Sequence, residues 1–106
     1  MKIEEFLKGL FTDLNDAGFV PARVYSDEGP ASTRSVGAML QDVMGLEKAR
    51  AVFRKGREMY VYSVADGPVD KYVAQRCDVL VDWSIGDEQF NKICQTWRAR
   101  VEENMP

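Results

Sequence analysis

Along Lys71–Trp83, Val73, Cys77, Val79, Val81 and Trp83 share one side of an extended strand, with Gln75 the exception. The intervening positions carry Arg76, Asp78 and Asp82. A strand with that alternation belongs to a sheet with one apolar face and one wet face. Such a sheet must be covered on one side only, and the rest of the chain is expected to supply the cover.

Two segments supply it plainly. Ile3, Phe6, Leu7, Leu10, Phe11 and Leu14 form one face of an amphipathic helix. Glu4 and Glu5 lie in its first turn, where the helix dipole favours negative charge, and Gly18 is placed to end it. Near the other terminus Phe90, Ile93, Cys94, Trp97 and Val101 make a second stripe. Asp87 or Ser84 is its expected cap, and Arg98 and Arg100 lie nearer its end. That stripe covers the sheet, or presents part of itself, Trp97 included, to another subunit.

A third helix is expected from about Thr33 to Met44, with Val36, Met39, Leu40, Val43 and Met44 on one face, Ser32 or Thr33 capping it and Gly45 stopping it. Between the first two helices, Phe19–Tyr25 reads as a short strand. Pro21 cannot donate to a ladder, which places that strand at an edge. Ser26–Ser35, with Gly29-Pro30, reads as a polar loop.

Leu46, Ala49, Val52 and Phe53 suit a short helix ending at Gly56. The alternative is a strand, Ala49–Arg54, turning at Lys55-Gly56. It is preferred because the aromatic and β-branched run Glu58–Ala65 needs a pairing partner. Asp66-Gly67-Pro68 then marks the turn into Lys71–Trp83. The fold expected is a single two-layer α+β domain spanning 1–106: an antiparallel sheet of three to four strands with one face covered by about three amphipathic helices.

Composition narrows the chemistry. The chain has no histidine, which removes Ser-His-Asp and Cys-His triads and every zinc site that needs imidazole. Two cysteines, Cys77 and Cys94, are too few for an all-cysteine zinc site, and both fall on apolar faces. Asp78 and Asp82 stand ~13 Å apart along one strand, too far to share an ion. Asp66 and Asp70 flank a turn and match no calcium-loop spacing. No phosphate-loop pattern or GxGxxG occurs. The expectation is a non-enzymatic protein without metal or cofactor.

The chain shows no apolar run near the roughly 18 residues a membrane span needs. Its first residues, Met-Lys-Ile-Glu-Glu-Phe, do not form a signal peptide, so a cytoplasmic location is expected. A net charge of -3 weighs against a dedicated nucleic-acid binder.

One local feature runs the other way. Lys48, Arg50, Arg54, Lys55 and Arg57 crowd into the segment 47–57 against Glu47, and Tyr60 and Tyr62 follow on one strand face. Arg50, Arg54, Lys55, Arg57, Tyr60 and Tyr62 are therefore the candidate partner-binding residues. They suit an acidic protein partner, as in an adaptor, an inhibitor or an immunity-type protein of phage or bacteria. Nucleic acid is a lesser option, since guanidinium and aromatic groups also hold phosphates and stack bases. A plain hairpin tip with both tyrosines packed in the core is the bland alternative.

The order helix, strand, long loop, antiparallel hairpin, closing helix also resembles the layout of small phage tail-completion and tail-terminator proteins. The resemblance implies a homo-oligomeric ring, with the 26–35 loop reaching a neighbour and edge strands pairing between subunits.

Overall fold

The structure, a computed structural model, describes residues 3–46, 48–64 and 80–103. In chain order these form α1 (Ile3–Asp16), β1 (Val20–Ser26), β2 (Gly29–Ser32), α2 (Val36–Met44), β3 (Lys48–Lys55), β4 (Arg57–Val64), β5 (Leu80–Trp83) and α3 (Glu88–Glu103). The strands make one antiparallel sheet in the order β2-β1-β3-β4-β5. Among the described residues this is a two-layer α+β arrangement with three helices packed on the sheet, and its five strands exceed the three to four expected.

All six residues of the α1 stripe are buried. α1 packs against both α2 and α3; α2 lies over β1 and β3, and α3 meets β5. The sheet answers with Val24, Ala49, Ala51, Phe53, Met59, Val61 and Leu80, all buried on the helix side. All five phenylalanines are fully buried, each contributing roughly 2 kcal/mol through the apolar surface it removes from water. Phe53 sits at the centre, edge-on to Phe11 at 5.5 Å and to Phe90 at 6.0 Å between ring centroids.

The segment 46–54 resolves as the strand alternative. β3 runs Lys48–Lys55 and pairs with β4 along its whole length, from Lys48 opposite Val64 to Lys55 opposite Arg57. Gly56 closes that hairpin with φ 77°, a left-handed conformation that side chains with a Cβ disfavour.

Three expectations require correction. Ser26–Ser35 is not a loop throughout: Gly29–Ser32 forms β2 and pairs with Arg23–Ser26 across a two-residue turn. β2 holds only Gly, Pro, Ala and Ser, so nothing in its composition signals a strand, and its partner's ladder defines it.

β1 is not an edge strand, because β2 and β3 flank it. Pro21 is tolerated because β2 pairs only with Arg23–Ser26, and the β1–β3 register shifts between Pro21 and Arg23.

α2 starts at Val36 with Ser35 as its cap, the Ala38 amide donating to Ser35 Oγ at 3.1 Å. Thr33 extends the hairpin instead, its amide donating to the Ala22 carbonyl.

α3 is capped by Asp87, whose Oδ1 accepts from the Phe90 amide at 3.0 Å. Phe90, Cys94 and Trp97 of its stripe are buried. Cys94, fully buried, has its thiol pushed up to about 12 by desolvation, which makes it unreactive at neutral pH. The Asp66-Gly67-Pro68 turn, Asp70, Cys77, Asp78 and most of Lys71–Trp83 lie outside the described residues. Within β5, Trp83 faces the helices opposite Val61 and Asp82 faces solvent, but the expected alternation breaks at Leu80, which is buried opposite Ser63 because the ladder shifts register between Tyr62 and Ser63.

Candidate interaction face

Because the helices occupy one side, the alternate residues of each strand form a second face, which no described helix covers. Tyr25, Arg50, Tyr62 and Asp82 stand opposite one another in a single row across β1, β3, β4 and β5. The next row is Arg23, Val52 and Tyr60, and beyond it Arg54 faces Glu58. Antiparallel pairing brings side chains directly across to about 5 Å, so the rows are contact lines.

The centre of the face is Arg50. Its guanidinium carbon lies 4.7 Å from the Tyr60 ring centroid and 5.9 Å from that of Tyr62. Arg23 lies over Tyr25 at 5.3 Å and donates from Nε to the Tyr25 hydroxyl at 2.9 Å. A cation over an aromatic face is attracted by the ring quadrupole, and stacking also limits the rotamers of both groups. Val52 is only 5% exposed although it points to the open side, because Arg23 and Tyr60 flank it.

Carboxylates complete the face. Glu58 accepts from Arg23 and, at 3.0 Å, from Arg54. These two hydrogen bonds, that of Arg23 foremost, hold the Glu58 carboxyl below its ordinary range, and the same contact raises the Arg23 guanidinium. The Tyr60 hydroxyl donates to Asp82 Oδ2 at 2.9 Å, and that bond, with some burial, raises the Tyr60 phenol.

The six residues singled out from the sequence divide between two places. Arg50, Arg54, Tyr60 and Tyr62 lie together on the open face. Lys55 and Arg57 face the helix side at the hairpin end. Lys55 Nζ donates to the Ala17 carbonyl at 2.9 Å and to Gln89 Oε1 at 3.2 Å, and lies 4.8 Å from the Phe19 centroid. The Arg57 guanidinium lies alongside Gly86.

The sequence placed Asp82 on the wet side of its strand, as found, but did not single out Arg23, Tyr25 and Glu58 as members of the face. Arg23 and Tyr25 share an i, i+2 spacing on β1 that would have placed them on one side of a strand, but their neighbours depend on register.

Among the described residues no three cysteine or carboxylate side chains converge as metal ligands, and no described helix is long and apolar enough to cross a membrane. No family model, curated protein or solved structure matches this chain.

Proposed function

We propose that this chain is a non-enzymatic docking module whose open sheet face engages a protein partner. The observation that carries the reading is the set Tyr25, Arg50, Tyr60 and Tyr62 on the side of the sheet away from the helices, held in one patch by cross-strand pairing and guanidinium–ring contacts. Tyrosine and arginine are the residue types that dominate binding energy at protein interfaces. Here they are ordered before any partner arrives, which lowers the entropic cost of association.

A partner offering carboxylates to Arg50 and apolar surface to the tyrosines fits this patch. Nucleic acid fits it less well. Arg50 already occupies ring faces that bases would need for stacking, and Glu58 and Asp82 would repel a phosphate backbone. A second reading, a subunit of a homo-oligomeric ring, has β2 in its favour as the outer strand of the sheet among the described residues. Pro30 within it removes one ladder donor and weakens pairing with another copy.

The test is photo-crosslinking from a benzophenone side chain at position 62 in the cells that make the protein, beside the same benzophenone-bearing protein with Arg50→Glu added. The expected result is one discrete protein adduct, lost in the Arg50→Glu variant while its circular dichroism is unchanged. A nucleic-acid adduct, or an adduct indifferent to Arg50, would overturn the reading. Light scattering that gives a closed oligomer at every concentration would favour the ring.

A further inference from the structure

We propose that a cleft beside the docking face, between the Pro21 end of β1 and the β2–α2 connection, binds a dianionic phosphate group. The cleft measures about 350 Å³, room for a phosphate and several waters of about 30 Å³ each. Arg23, Arg34 and Arg54 line it from three separate elements, with Ser32 and Thr33 between them. No carboxylate is among the described residues that line it.

The charge balance and the geometry agree. Arg23 and Arg54 are held side by side because both donate to the carboxylate of Glu58, which lies outside the cleft lining. One carboxylate thus serves two guanidinium groups. Arg34 makes no hydrogen bond or ion pair among the described residues. Thr33, only 4% exposed in the wall of the same cleft, has a hydroxyl with no partner among the described residues.

The Arg34 guanidinium, unanswered among the described residues, calls for an acceptor, and the buried Thr33 hydroxyl behind it leaves that wall short of one partner. A guanidinium fork matches phosphate oxygens two at a time, so the open Arg34 fork, with the N–H groups that Arg23 and Arg54 keep free beside Glu58, suits a group with three free oxygens and two charges better than a carboxylate. The site shares Arg23 with the docking face, but Arg34 lies outside that face, so the Arg34→Gln variant tests the site separately from the docking reading.

The experiment is an amide NMR titration of the intact chain with inorganic phosphate, O-phosphoserine and dimethyl phosphate at constant ionic strength. The expected result is saturable shifts in the millimolar range at Thr33 and Arg34 with the two dianions. Arg34→Gln, an exposed change that removes no internal bond, should loosen binding by about fivefold or more. Lys92→Gln, on the exposed side of α3, should leave it unchanged.

Tighter binding of O-phosphoserine would assign the site to a phosphomonoester, and tighter binding of inorganic phosphate to the free ion; either supports the proposal. Shifts that never saturate, equal binding of the singly charged diester, or an Arg34→Gln variant that binds like the parent would each overturn it.

Discussion

The indole of Trp97 lies against the backbone of Gly9, so close that a Cβ at position 9 would stand 2.1 Å from Trp97 Cη2. A glycine inside a helix costs about 1 kcal/mol relative to alanine, and α1 bears that cost to let α3 approach. The ring has little room to yield. Its Nε1 donates to Asp13 Oδ2 at 2.8 Å, Phe6 meets it edge-on at 5.7 Å, and Arg100 lies over it at 4.2 Å.

Gly9→Ala should therefore destabilise the protein. The helix-propensity gain of about 1 kcal/mol is outweighed by overpacking, which costs about 1–3 kcal/mol, plus loss of the Asp13 bond if the ring tilts. Urea unfolding should show a lower midpoint with an unchanged slope. A midpoint above that of the parent would mean the ring moves freely, and the close approach would explain nothing.

Lys55 and Arg50 are both exposed cations on β3, and the structure gives them opposite roles. Lys55 ties the end of α1 to the sheet through the Ala17 carbonyl and reaches Gln89 on α3, whereas the Arg50 guanidinium lies over Tyr60 and Tyr62 and makes no hydrogen bond or ion pair among the described residues. Lys55→Ala is expected to cost about 1 kcal/mol, the usual net worth of such a bond to a helix-terminal carbonyl. Arg50→Ala should stay within about 0.5 kcal/mol of the parent. Chemical denaturation of the two variants side by side decides it, and equal losses would contradict the division.

The helices were legible because their signal is local. The α1 stripe repeats every three or four residues and needs no knowledge of its neighbours. The same holds for the turn at Gly56. What was hidden depends on pairing: β2 is a strand only because β1 holds it, and Pro21 sits in an internal strand only because β2 stops short of it. The open face was half visible. Alternation puts Tyr60 with Tyr62 and Met59 with Val61, but both sets are apolar enough to be core. Burial chose Met59 and Val61, and only register could bring Tyr25 opposite Arg50.

Glu58 makes stability pH-dependent in a definite direction. Its folded pKa lies below the ordinary value because Arg23 and Arg54 bond its carboxylate. The stabilisation is present above the unfolded value of about 4.3 and is lost as pH falls through the lower folded value. Comparing Glu58→Gln with the parent should give a gap at neutral pH that closes in acid. Both arginine contacts are exposed, so the gap should shrink in high salt. A gap that persists well below the carboxylate range would place its origin elsewhere than in this charge.

Thr33 offers the opposite kind of change, one that should help. Its Oγ1 is buried and bonds nothing among the described residues, while its amide already donates to the Ala22 carbonyl. A buried hydroxyl without a partner costs about 1–3 kcal/mol in lost hydration. Thr33→Val keeps the branched shape and the backbone bond and removes only that cost. In phosphate-free buffer it should raise stability by about 1 kcal/mol, whereas Thr33→Ser, which keeps the hydroxyl and drops the methyl, should lower it. The pair separates shape from polarity: a Val variant less stable than the parent would mean that the hydroxyl is satisfied by water in solution, and Thr33 would then be an ordinary hydrated wall residue rather than a donor in wait of an acceptor.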